Sequence, residues 1–269
     1  MSGSALEALL KHENAIVLAA LLLVTLLAWF ALLAGAGTGM DPAAMSGWLM
    51  SFSLPAAFSS PWTPFYWLIA FFMWAVMMVA MMLPSASPMV LLYARVVRQA
   101  ERQGRVRNVS ASIAAFASGY LTLWILFSGA AVIVQYVLER TAALSSMMSS
   151  RSIALSGLLL VAAGLYQLTP LKGACLRHCR GPAAFIATHW RPGVVGAWRM
   201  GLSHGAYCVG CCAALMLLLF VGGVMNLIWI AGLTLLVAIE KLAPFGPVTA
   251  RVVAVALITG GALLVLAGH

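Results

Sequence analysis

A chain of 269 residues that is 64% hydrophobic and 8% charged, with a mean hydropathy of +1.04, is not built for water, because soluble domains are about a quarter charged. Its formal charge of +9 raises nucleic acid as a partner. The basic residues, however, fall between apolar runs, so the charge reads as an orientation signal and nucleic-acid binding is set aside.

Apolar runs of about 18 residues or more are long enough to cross the roughly 30 Å hydrocarbon layer as helices. The first run, 15–34, follows Lys11 and ends in Ala34-Gly35-Ala36-Gly37, which resembles a cleavage site. At about 20 residues it exceeds a signal-peptide core and is read as an uncleaved first span. Residues 35–65 contain no Lys or Arg and are rich in Trp, Phe, Pro and Ser, as expected of a shallow interfacial turn or lid on the outer side.

A second span covers 66–83. Beyond Pro84 and Pro88, residues 89–103 place Arg95, Arg98 and Arg102 at helical spacing among apolar residues, which predicts a separate inner surface helix. Spans at 112–134 and 152–168 follow. The next segment, 169–203, is the longest inner loop and carries Cys175, His178, Cys179 and His189. Runs 206–221 and 224–239 are separated by Gly222 and Gly223. As one helix they would be about 50 Å long, too long for one ordinary crossing, so a glycine hairpin is expected. The last span is 252–267.

The expected fold is therefore all-α: a polytopic transmembrane helical bundle of about seven spans, forming a single domain over 1–269. With the N-terminus inside, every Lys and Arg except Arg140 and Arg151 lies on the inner side, as the positive-inside bias requires. The lipid bilayer is the first partner implied. The oligomeric state is not legible.

Four features carry chemistry. His204, Cys208, Cys211 and Cys212 fall within about 100° of one helical face, and imidazole with thiolate suits zinc or copper, thiolate in particular favouring Cu(I). The bland reading of each cysteine is a small hydrophobe. In the loop, Cys175, His178 and Cys179 stand beside Lys172, Arg177 and Arg180, a setting that favours the thiolate form. On the second span Met73, Met77 and Met81 form one stripe with Met78 and Met82 beside it, either adaptable packing or a row of thioethers for a soft cation. Glu240, followed by Lys241, is an acid at membrane depth, a ligand candidate or an interfacial group. In the predicted topology all four features fall in the inner third of the bundle, where ligands of one site must meet. The five cysteines lie on or near the reducing side, which argues against a disulfide framework.

The segments Met73-Trp-Ala-Val-Met-Met-Val-Ala-Met-Met-Leu-Pro84, Gly164-Leu-Tyr-Gln-Leu-Thr-Pro-Leu-Lys-Gly-Ala-Cys-Leu176, His204-Gly-Ala-Tyr-Cys-Val-Gly-Cys-Cys212 and Glu240-Lys241 together resemble the bacterial family of predicted metal-binding integral membrane proteins, domain of unknown function 2182. The resemblance covers roughly Tyr66 to Gly246. It implies a multi-pass metalloprotein of the bacterial cytoplasmic (inner) membrane and names neither the metal nor the task.

Three functions are consistent with these residues. The first is Cu(I) binding with transport or delivery, served by a soluble metallochaperone or a periplasmic partner and with no ATP motor, since no P-loop is present. The second is a thiol-disulfide oxidoreductase using Cys208 and Cys211. The third is a membrane copper or iron oxidoreductase. Zinc and iron are the alternatives to copper as the bound metal.

Overall fold

The structure, a computed structural model, describes residues 3–37, 62–141 and 152–267, with side chains from residue 14 onward. The expected outer lid falls mostly on 38–61, and Arg151 on 142–151, both outside the described residues. Among the described residues the fold is helical with no strand.

Helix α1 covers Gly3–Leu33, and α2 covers Pro64–Arg102. Thr63 starts α2 by accepting from the Tyr66 amide at 3.2 Å, with Pro64 at the first helical position. The expected break after Pro84 does not occur, and residues 89–103 continue the same helix instead of forming a separate surface helix. A proline removes one amide from the ladder and leaves the carbonyl four residues earlier bare. Pro88 bares the Pro84 carbonyl, and the Ser87 hydroxyl donates to it at 2.7 Å, which compensates the lost bond as neighbouring hydroxyls do inside membranes.

Next come α3 (Val109–Arg140), α4 (Ile153–Gln167) and α5 (Pro170–Arg180). The break between α4 and α5 is written in Thr169-Pro170. The Thr169 hydroxyl accepts from the Lys172 amide and donates to the Tyr166 carbonyl, and the two axes bend by 65°. Helix α6 (Pro182–His189) leads into α7 (Gly193–Leu217). Most of the expected inner loop 169–203 is thus helical. A single turn, α8 (Leu219–Gly222), ends at Gly223 with φ 92, and Asn226 then caps α9 (Leu227–Leu242). The glycine hairpin forms where the sequence placed it. Helix α10 covers Gly246–Ala267.

Each of the expected apolar runs has its own helix, but the count of about seven spans is not reproduced. Among the described residues five helices are long and apolar enough to cross a membrane: α1 from Asn14, α2, α3, the α7–α8 stretch and α10. The bent α4–α5 pair would be a sixth. Helix α9, at 16 residues, is shorter than the length a full crossing needs.

The bundle closes through small residues. Helix α3 lies along α7, and α4 along α10. A methyl group added at Gly119 would overlap the Trp198 carbonyl, and one at Gly201 the Phe116 carbonyl. Gly157 and Gly261 serve the α4–α10 pair in the same way. Such close backbone approach replaces the hydrophobic driving force that lipid does not supply. Helix α2 fills the middle of the bundle, with Met73, Trp74, Met77, Met78, Met81 and Met82 all at 0% exposure. Lys172 and Lys241, counted above with the inner-side charges, are buried inside the bundle.

Candidate metal centre

The middle of α7 carries His204, Cys208, Cys211 and Cys212 on its buried face, none more than 3% exposed. The Cys211 and Cys212 sulfurs are 3.3 Å apart. Helix α5 adds Cys179, whose sulfur is 3.7 Å from that of Cys211. All five cysteines are free thiols, since bonded sulfurs would stand about 2.05 Å apart. Cys175, one turn before Cys179, sits where its sulfur would be 2.7 Å from a Cβ placed on Gly210. Glycine at 210 therefore leaves the Cys175 sulfur its place against the cysteine turn of α7.

Cys208 is the meeting point of four helices. Lys241 of α9 reaches it with Nζ 2.9 Å from the sulfur, and the same ammonium donates to Ser85 Oγ of α2 at 3.1 Å. The Ser85 hydroxyl donates to the Met82 carbonyl at 2.9 Å. Tyr120 of α3 donates to that carbonyl at 3.2 Å and stands 3.1 Å from the Cys208 sulfur. A closed polar ring thus joins α2, α3, α7 and α9 around one sulfur. It is buried throughout, as a hydrogen-bonded polar network in an apolar interior has to be satisfied.

His204 lies one turn before Cys208 on α7. Its ring is 5.6 Å from that of Tyr120 and 5.4 Å from that of Phe185, and its buried Nδ1 has no hydrogen-bond partner. An orphaned buried ring nitrogen is costly unless something occupies it. The methionine row Met77, Met78, Met81 and Met82 belongs to the same continuous core as Cys175, Cys208, Cys211 and Cys212, together with Met216 and Met225.

Glu240 does not join the sulfurs. Lys172 Nζ donates to one carboxylate oxygen at 2.7 Å and Gln167 Nε2 to the other at 2.7 Å, so both oxygens are taken. The acid instead pins the α4–α5 bend to α9, and Arg180 adds hydrogen bonds to the carbonyls at the end of α9. His178 also stands off the sulfurs, stacked on Tyr207 with ring centres 4.1 Å apart.

The sequence reading missed Tyr120 and Ser85, and it singled out Lys241 beside Glu240 without foreseeing its contact with Cys208. The signal for Lys241 was a lysine embedded at the end of an apolar run. Nothing local marks Tyr120, which lies 88 positions from Cys208.

Among the described residues no group of three or more His, Cys, Asp and Glu side chains forms a ready metal site. The sulfurs are instead turned toward one another and toward Lys241 and Tyr120. The donor set nonetheless suits a soft ion. Two sulfurs on one tetrahedral ion at bond lengths of about 2.3 Å would be about 3.8 Å apart, close to the 3.7 Å between Cys179 and Cys211.

No curated protein and no solved structure matches the chain. The family model PpoB2, described as copper chaperone, matches residues 71–264. The match begins just before the methionine row and takes in the cysteine turn of α7, the polar ring and the Glu240-Lys241 pair. It supports a metal-related family and names copper, and it does not confirm the family name that the motifs resemble. The chain belongs to the PpoB2 copper chaperone family.

Proposed function

We propose that this chain binds Cu(I) at a buried sulfur site near the inner leaflet of the bacterial cytoplasmic membrane and delivers it across or out of that membrane. The N-terminus is cytoplasmic in this reading. Cys208, Cys211 and Cys212 of α7 with Cys179 of α5 are the principal ligands. His204 is an added donor through its orphaned ring nitrogen. Cys175 and His178 belong to capture from the inner side. Met77, Met78, Met81 and Met82 relay the ion outward, because thioether is soft, uncharged and tolerable in hydrocarbon. A soluble metallochaperone or a periplasmic acceptor completes the transfer. Glu240, with both oxygens engaged, serves as the anchor of Lys172 rather than as a ligand.

The single observation that carries this reading is the contact of cysteine sulfurs from two separate helices, Cys179 with Cys211 and Cys211 with Cys212, buried in a chain of a copper chaperone family. Loading replaces sulfur–sulfur and sulfur–ammonium contacts with metal–sulfur bonds. Elemental analysis and anaerobic Cu(I) competition titration of detergent-purified protein test it, comparing wild type with Cys208→Ser and His204→Ala. The expected result is stoichiometric copper in the wild type, a loss of affinity of at least about tenfold in Cys208→Ser, and a smaller loss in His204→Ala. Equal and trivial copper in all three proteins would overturn it.

A further inference from the structure

His189, the last residue of α6, has no role in the site described so far, yet it completes a second arrangement of donors at the inner rim. Its ring centre lies 6.3 Å from that of His178 on α5, with the planes at 84°. Both rings are half-buried, held on aromatic platforms. His178 stacks on Tyr207 at 4.1 Å, and His189 stacks on Phe185 at 4.4 Å.

Each ring is also pinned at the same atom. Nδ1 of His178 lies 2.9 Å from the Ala174 carbonyl, and Nδ1 of His189 lies 3.2 Å from the Phe185 carbonyl. A carbonyl only accepts, so both Nδ1 atoms carry the proton. Thr188 does not change this, because its hydroxyl donates to the Ala184 carbonyl at 2.9 Å and accepts from His189 Nδ1 at 2.8 Å. Both rings therefore keep the lone pair on Nε2, the form in which imidazole binds metal, with the other nitrogen held by a backbone carbonyl.

The spacing selects among metals. A ring centre is about 1.1 Å from its nitrogen and a metal–nitrogen bond is about 2.0 Å. Two imidazoles on a linear two-coordinate ion therefore have centres about 6 Å apart, and two on a tetrahedral ion about 5 Å apart. With both Nε2 atoms turned to a common point, the 6.3 Å separation of the rings accommodates the linear case, which Cu(I) adopts and Zn(II) does not.

We propose that His178 and His189 form a two-coordinate Cu(I) acquisition site at the inner rim, which accepts copper and passes it to Cys179, the next residue after His178, and so to the α7 sulfurs. The handover exchanges one copper–imidazole bond at a time for a copper–sulfur bond, the thiol proton passing to the Nε2 that copper leaves, with no change in the oxidation state of copper. Uptake into the deeper site rests on the function proposed above. Binding at the pair itself does not.

Stopped-flow Cu(I) uptake and copper absorption spectroscopy of full-length protein in detergent test the proposal, using a weak Cu(I) donor complex and the variants His189→Gln, His178→Gln and Cys208→Ser. In the wild type, copper added beyond the first equivalent shows imidazole scattering with two nitrogens at one distance. His189→Gln and His178→Gln each lose that scattering and slow uptake at limiting copper by tenfold or more, while the final affinity of His189→Gln for the first equivalent stays within twofold of wild type. Imidazole scattering that survives in Cys208→Ser while tight binding is lost supports the pair independently of the sulfur site. Wild-type uptake rates in both histidine variants, absence of imidazole scattering in the wild type, or preference of the pair for Zn(II) over Cu(I) would overturn it.

Discussion

Lys241 is the residue whose position says most about how copper enters and leaves. Its ammonium is buried, and among the described residues its hydrogen-bond partners are the Cys208 sulfur and the Ser85 hydroxyl rather than a carboxylate. A monocation arriving at that sulfur must take the place of the ammonium and then lie near it, in a medium where like charges repel far more strongly than in water. In the proposed function Lys241 therefore opposes retention of copper, a useful property if the protein gives its cargo away. Lys241→Met keeps the length of the side chain and removes both the competing donor and the charge. Its expected effect is Cu(I) affinity raised about tenfold, the equivalent of roughly 1.4 kcal/mol, with slower release to a chelator, read by competition titration and stopped-flow transfer. Weakened binding would mean that Lys241 supports the site instead. The cysteines of this site were legible from their spacing, since 208, 211 and 212 share a helical face whatever the tertiary fold. Lys241 and Tyr120 were not, because they reach Cys208 from 33 and 88 positions away and only packing brings them there.

At the scale of elements, the site depends on two close approaches. Helix α5 meets α7 at Gly210, where Cys175 leaves no room for a methyl group. Gly210→Ala should push α5 outward, separate Cys179 from Cys211 and lower Cu(I) affinity at least about tenfold, since small displacements of supporting groups cost that much at metal sites. The same titration reads it, and unchanged affinity would show that Cys179 is dispensable. The α4–α5 bend is tied to α9 through the Lys172–Glu240 pair, with each side chain 1% exposed. Glu240→Gln leaves a buried ammonium without its anion, an uncompensated charge that costs about 3–5 kcal/mol. Thermal unfolding in detergent should show a clear loss of stability, whereas a ligand role for Glu240 would change copper binding at unchanged stability. Apolar run lengths and the Gly222-Gly223 turn were readable because each is a local property. The uninterrupted course of α2 was not, because it depends on Ser87 serving a carbonyl that Pro88 leaves bare. The helical inner segment was hidden by its short pieces and its proline and glycine punctuation.

Across the whole molecule, hydropathy sets the class of fold and the arginines carry the proposed orientation. Arg95, Arg102, Arg105 and Arg107 remain exposed at and just beyond the inner end of α2, whereas Lys172 and Lys241, which look like the same kind of signal in the sequence, belong to the interior. Orientation rests on the exposed group. An epitope inserted after Gly104 should be reachable only from the cytoplasm, and one inserted after Thr141 only from outside. The reverse labelling would place the acquisition histidines and the sulfur site at the opposite face and would remove the case for inward capture.

All of these readings depend on copper being held by sulfur deep among the helices. The most direct measurement is copper absorption fine structure on detergent-purified protein carrying one equivalent of Cu(I), for wild type and Cys208→Ser. A first shell dominated by sulfur at about 2.3 Å that loses sulfur scattering on substitution is the expected result. A shell of oxygen or nitrogen without sulfur, identical in the two proteins, would contradict it.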